Sequence, residues 1–366
     1  MKIRALDKYL SKTFLTHFLV ALIGLLLIIY IFDTVELLRR AAKQSDINFE
    51  IVLFTSLMKL PQTGLSLFPF ALFFSSIYTL WKLTRTYELI VIRSFGVSAW
   101  RFLLPIITTA FFIGIVEIGA INPAAAIMLA RYEQLDNRYF NNKDNSINLN
   151  KTGIWLKQKN YDNESEEIIL HAKQIMPNQN KFGEISVFYF NQNYDFLKRI
   201  DAKEAYLKDG AWQFNSAFEN VLNMDAKPIT SYTIKTDLSI NKIESRFASP
   251  ETINFWQLPK FISIVEKTGF SSTKLRIHFN SLLAQPWLFV GIVLISSAIS
   301  MGMPRRSKTP LVLGIGIFAA FLLFFLKDVV QALGLAENLP IIIASFAPAL
   351  ISVFIGASAL IYLEDG

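Results

Sequence analysis

A chain of 366 residues, 52% of them hydrophobic and 32 of them Phe, has more apolar surface than one water-soluble core can cover, and the surplus falls in blocks. That composition excludes an ordinary soluble globular protein. The lack of any cysteine excludes disulfides and thiolate metal sites, and the net charge of +7 reflects basic residues placed around the apolar blocks, so no nucleic-acid partner is needed to explain it.

Lys2, Arg4, Lys8 and Lys12 lead into the first apolar block, residues 14–32. That block is longer than a signal-peptide core and no convincing small-residue cleavage site follows, so it reads as a retained span. The next blocks are 65–81, after Lys59 and Pro61, and 102–121; three more follow a long polar stretch, at 282–301, 310–326 and 340–363. A membrane span needs about 20 mainly apolar residues, so the pattern predicts six helices arranged three and three. Eleven basic residues lie in the short segments on one side: the four already named, Lys82, Arg85, Arg93 and Arg101, and Arg305, Arg306 and Lys308. The opposite segments hold only Arg39, Arg40, Lys43 and Lys327. Short basic loops stay cytoplasmic, which predicts both termini inside and residues from about Pro123 to Ile277 outside the inner membrane.

Between the second and third blocks, residues 84–96 start too polar for lipid and end too apolar for water. They predict a short surface helix, with Thr84 or Thr86 as its cap, Glu88 in the early turns where a negative charge suits the dipole, and Gly96 as terminator. Leu89, Ile92 and Phe95 recur at helical spacing. The residues alone leave two readings open, a helix that docks a partner and an amphipathic linker resting on headgroups.

From about Asp144 the pattern changes to short alternating runs, which predict half-buried strands at 153–156, 167–170, 184–190, 202–207, 211–214 and 230–235. Asp209-Gly210 sits where a two-residue hairpin turn needs positive φ. An all-β antiparallel sandwich or jelly-roll follows. Its interior can be an ordinary packed core or a cavity open to a lipid chain, and the pattern does not separate the two.

No catalytic motif is recognisable. His17, His171 and His278 lie far apart and predict no metal centre, and Glu88 without a titratable partner defines no reaction. No cofactor is expected. The chain contains no G-x-x-x-x-G-K-[ST], so ATP hydrolysis, if transport needs it, belongs to another subunit. Asp33, Glu117 and Lys327-Asp328 fall near predicted span ends, which keeps a proton-coupled carrier as a weaker alternative class.

The opening Leu6-Asp7-Lys8-Tyr9-Leu10, the run from Glu88-Leu89 to Gly96, the strand Gly153-Ile154-Trp155 and the 3 + 3 spans together resemble the permease subunits of the lipopolysaccharide export transporter, the G-type more than its F-type paralogue. The resemblance covers essentially the whole chain. It implies a domain order of 1–123 for spans one to three with a coupling helix at about 84–96, 124–277 for a periplasmic β-jellyroll with linkers, and 278–366 for spans four to six. It implies as partners an F-type permease, a cytoplasmic ATPase dimer and the membrane-anchored and periplasmic β-jellyroll subunits of a bridge to the outer membrane, with lipopolysaccharide as substrate. Glu88, with Leu89, Ile92 and Phe95, matches the family's ATPase-coupling position. Arg39 and Arg40 match a basic pair thought to meet the glycolipid's phosphates, an assignment that suits the guanidinium fork, although interfacial anchoring explains the pair too. The chain departs from familiar members at Asp33 and Gln62, where they carry lysine; a different headgroup, or Lys43 and Lys59 as substitute cations, accounts for the change. A membrane-anchored β-domain scaffold is a further alternative, for which six spans are more than an anchor needs.

Overall fold

The computed structural model of the protein describes residues 3–42, 48–136, 139, 147–150, 153–161, 166–176, 180–191, 195–208, 210–221, 225–236, 238, 249–267, 271–302 and 309–365. Six helical stretches among them are long and apolar enough to cross a membrane. In chain order the helices are α1 (Ile3–Ala41), α2 (Phe49–Arg85), the short α3 (Glu88–Ser94) and α4 (Ala99–Val116). A π-helical turn, Glu117–Ile121, joins α4 to α5 (Asn122–Asp136). After the β region come α6 (Leu258–Lys267), α7 (Thr273–Gly302), α8 (Thr309–Leu335) and α9 (Ile341–Asp365). The apolar block at 65–81 lies in the second half of α2, which carries Pro61 and Pro69 inside it, and the block at 102–121 is the first half of a helical run that continues to Asp136. Glu117, expected near a span end, therefore sits mid-helix and buried, 2% exposed.

The chain divides into a helical unit (Met1–Asp136, Glu251–Trp256 and Thr273–Gly366) and a β unit (Asn137–Pro250 and Gln257–Ser272). In the helical unit α7 is the most enclosed span, packed against α2, α4, α8 and α9. Two glycines let it meet α9 closely: a Cβ on Gly291 would lie 2.5 Å from Ser352 Cβ, and one on Gly356 would lie 2.5 Å from Leu294 Cβ. Membrane helices use small residues this way because lipid provides no hydrophobic drive to associate, leaving close van der Waals contact to hold them. Several buried hydroxyls are satisfied within their own helices, Ser76 and Ser297 donating to the carbonyls of Leu72 and Val293. Leu10, Phe14, Phe18 and Leu22, four residues apart, bury one stripe of α1. Farther along the helix cover is thin: only 17% of its most apolar window is buried, and 11% of that of α8, against 72% for α7.

The β unit holds one seven-stranded antiparallel sheet in sequence order: β1 (Ile147–Asn150), β2 (Gly153–Lys159), β3 (Glu166–Met176), β4 (Lys181–Asn191), β5 (Phe196–Lys208), β6 (Ala211–Val221) and β7 (Lys227–Lys235). β5 and β6 form the predicted hairpin, with Lys208 paired to Ala211 and Gly210 at φ +72°; Asp209 lies outside the described residues.

Strict alternation fails at one line across the sheet. On β4 the buried positions run Phe182 then Ile185, on β5 Ala202 then Ala205, on β6 Phe214 then Ala217. One extra residue per strand, with Glu184 at φ +47° and Ser216 at φ +53°, creases the sheet while returning apolar side chains to the same face. Lys173, 2.6 Å from Glu184 at the crease, holds that exposed carboxyl below its usual range. The sheet curls until β2 reaches β6 and β7: Gln158, 1% exposed, donates to the Lys235 carbonyl and accepts from Thr236 Oγ1 (2.8 Å) and Trp212 Nε1 (3.4 Å). Trp212, Phe182 and Phe214 fill the enclosed face.

Candidate functional site

The segment after α2 turns sharply because Tyr87 adopts a left-handed conformation, φ 64° and ψ 2°, as the residue before α3. Thr86, predicted as a cap, instead donates its hydroxyl to Glu88 Oε1 at 2.8 Å. The other carboxylate oxygen, Oε2, accepts a hydrogen bond from the Tyr9 hydroxyl of α1 at 3.0 Å. α3 ends as the glycine predicts, with Gly96 at φ +75° and its amide bonded to the Arg93 carbonyl.

The apolar stripe on α3 is divided. Leu89 is buried and Ile92 packs beside it in the cluster that includes Leu10, Leu83 and Phe102. Phe95, by contrast, is 81% exposed, and Tyr87 and Val91 are exposed with it. Two side chains thus seat the segment on its own helices, while Glu88 and an apolar rim face outward.

At the far end of α1 the basic residues are each paired. Arg39 and Arg40 both bond Glu36, at 2.9 and 3.1 Å, and Arg40 lies 3.9 Å from Asp136. The pairs to Glu36 are exposed and one helical turn apart, an arrangement that solvent screens to little net stabilisation, so a phosphate can replace the carboxylate at small cost. Lys59 is tied to Asp33 at 3.0 Å and stands 5.9 Å from the Tyr132 ring centroid. Asp33 therefore neutralises the Lys59 ammonium. Lys43 lies outside the described residues. Gln62, the second departure, keeps a buried Oε1 without a hydrogen-bond partner.

A third polar group centres on Glu117, which the sequence pattern placed near a span end without its partner. Glu117 Oε1 accepts from Gln285 Nε2 of α7 at 3.3 Å, while its Oε2 has no hydrogen-bond partner. Gln285 and Lys327 both line a cavity of about 70 Å³ between α2, α7 and α8, otherwise apolar through residues such as Leu65, Phe70, Leu288 and Phe324. The π turn that carries Glu117 is held open by its freed backbone and side chains: Trp256 Nε1 donates to the Gly119 carbonyl and Asn122 Oδ1 accepts from the Phe255 amide. A carboxylate in an apolar block was the available signal; its partner 168 residues away was not visible in any local pattern.

The three histidines serve separate places: His17 Nδ1 lies 2.8 Å from Thr79 Oγ1, His171 stacks on Trp155 at 4.1 Å, and His278 is on α7. Among the described residues no group of three or more His, Asp or Glu is arranged to hold a metal ion.

Residues 8–363 match the family described as lipopolysaccharide export system permease LptF/LptG. Among curated relatives, the lipopolysaccharide export system permease protein LptG of Haemophilus influenzae is 22% identical over 354 residues, covering 95% of this chain and 96% of that protein. The protein of the same name from Escherichia coli is 22% identical over 357 residues, 94% of each chain.

Proposed function

Because the chain belongs to the LptF/LptG family of lipopolysaccharide export system permeases, we propose that it is the G-type permease of an ATP-driven exporter that extracts lipopolysaccharide from the inner membrane and hands it to a periplasmic bridge. Six apolar helices in a member of that family make it a multi-pass inner-membrane protein. The observation that carries the reading is the match over residues 8–363, which takes in the helices and the β unit together. The G-type assignment rests on the names of both relatives.

In this reading both termini and α3 are cytoplasmic, as the basic loops favour, and the β unit is periplasmic, the first segment of a bridge built with other β-jellyroll subunits. An F-type permease completes the membrane part, and a cytoplasmic ATPase dimer hydrolyses the ATP. Glu88 and the exposed rim of Tyr87, Val91 and Phe95 meet the ATPase, while Leu89 and Ile92 fasten α3 to the spans. The lipid chains lie against α1 and α8, the two spans least covered by their own chain, together with the partner permease. Arg39 and Arg40 exchange Glu36 for the glycolipid's phosphates, with Lys43 beside them. Lys59 takes part only when Asp33 releases it. ATP-driven closure of the ATPases pushes on α3 and collapses the lipid cavity.

The test is co-purification from membranes. A P-loop ATPase and a second permease accompany the unaltered chain, and Glu88→Lys loses most of the ATPase. Full retention of the ATPase by Glu88→Lys would overturn the coupling role of α3.

A further inference from the structure

We propose that Tyr9 is a positioning residue for Glu88 and the link through which movement of α3 reaches α1. The proposal rests on the reading of α3 as the ATPase-docking helix.

Among the described residues Glu88 has two hydrogen-bond donors around its carboxylate, both hydroxyls. One, Thr86, belongs to the same turn; the other, Tyr9, comes from a different helix, 79 residues away in sequence. Tyr9 is therefore the polar tie between the acidic residue of α3 and the first span. The surrounding contacts give that tie mechanical meaning. Leu10, the next residue on α1, is fully buried in the hydrophobic cluster that also holds Leu89, so α1 and α3 are joined by one polar tie and share one apolar core.

The same turns of α1 are fastened to α4 on other faces. Asp7 bonds Arg101 at 3.0 Å, and the Ser11 hydroxyl donates to the Pro105 carbonyl at 3.2 Å. This end of α1 is thus held by two ties to α4 and one to α3, whereas the helix beyond Leu22 is thinly covered. Its far end is tied to α2 by Thr34 to Ser56 and by Asp33 to Lys59, each at 3.0 Å, so α1 is a rod held at both ends that carries a displacement of one end to the other. Displacing α3 relative to α4 turns the near end, and the far end of α1, with Arg39 and Arg40, moves with it. Glu88 in this account has two tasks, to face the ATPase and to keep hold of Tyr9. A phenol suits the second: it donates one directional hydrogen bond to a carboxylate without adding a charge that would compete with a cation from the partner.

The experiment uses the complete transporter reconstituted in liposomes and reads lipopolysaccharide released per ATP hydrolysed, in the unaltered chain, Tyr9→Phe, Glu88→Met and the double variant. Tyr9→Phe keeps the ring and its packing, and an unchanged melting temperature and unchanged ATPase retention verify the assembly; Glu88→Met keeps the length of the side chain and removes both acceptor oxygens. The expected result is a drop of about fivefold in the ratio for Tyr9→Phe, the scale of one lost hydrogen bond, with no further drop when the substitution is added to Glu88→Met. An unaltered ratio in Tyr9→Phe overturns the proposal, and so does an additive loss in the double variant, which would mean that Tyr9 acts by another route. Failure of the underlying reading gives a different signature: Glu88→Lys keeps its ATPase and Glu88→Met keeps its ratio.

Discussion

Substituting Asp33 by Asn should strengthen binding of a phosphorylated glycolipid, because it frees a cation the chain already has. Lys59 Nζ lies 3.0 Å from Asp33 Oδ1, with the two side chains 36% and 21% exposed. The pair is neither bulk-solvated nor dry, which puts its worth at the upper end of the range for exposed pairs, about 1 kcal/mol. Asn retains an oxygen for a single hydrogen bond but no charge. A phosphate approaching Arg39 and Arg40 then meets a free ammonium and one opposing carboxylate fewer, and about 1 kcal/mol corresponds to about fivefold in affinity. The assay is titration of nanodisc-embedded protein with bisphosphorylated and dephosphorylated lipopolysaccharide. The gain should appear only for the phosphorylated ligand, shrink at high salt, and vanish when Lys59→Met is added to Asp33→Asn. Equal affinity in Asp33→Asn and the unaltered chain, or a gain that survives the loss of Lys59, would refute the reasoning.

Substitutions at three further positions test the packing within each unit. Gly291→Ala places a methyl 2.5 Å from Ser352 Cβ and 2.9 Å from its carbonyl carbon, so α7 and α9 must separate; the cost is about 1–3 kcal/mol, read as a lower melting temperature in detergent, and an unchanged melt contradicts the crossing. Gln158→Ala strips partners from Trp212, Thr236 and the Lys235 carbonyl together, which should cost about 3 kcal/mol and speed hydrogen exchange in β7; protection equal to that of the unaltered chain would show that the sheet is closed some other way. Glu117→Leu leaves the Gln285 amide without an acceptor inside the helical unit and should cost about 2 kcal/mol, whereas Glu117→Gln keeps a carbonyl there and should melt close to the unaltered chain; equal melts for Leu and Gln would rule out the Gln285 contact.

Much of this molecule is visible in local pattern. Hydrophobic length alone marks six spans, and Asp209-Gly210 marks the β5–β6 hairpin. Local pattern fails where geometry is made by distant partners. Block length located the apolar second half of α2 but not its earlier turns, and it put Glu117 at a span end because a buried carboxylate partnered by Gln285 has no sequence signature. Strict alternation missed β1 and the crease, although the shifts Phe182 to Ile185 and Phe214 to Ala217 are there to be read as one-residue insertions. Helical spacing grouped Leu89, Ile92 and Phe95 on one stripe. The helix ends at Ser94, so Phe95 leaves that face and becomes exposed. The Tyr9–Glu88 bond and the Lys59–Asp33 pair join residues far apart in the chain, and only the packed helices bring them together.

The central claim, that this chain moves lipopolysaccharide at the expense of ATP, is tested most directly by reconstituting it with its partner permease and ATPase in liposomes and following release of labelled lipopolysaccharide to a soluble periplasmic acceptor. The account predicts release that requires ATP hydrolysis, is lost with Glu88→Lys, and does not extend to ordinary phospholipid. Release without ATP, or equal release of phospholipid, would contradict it.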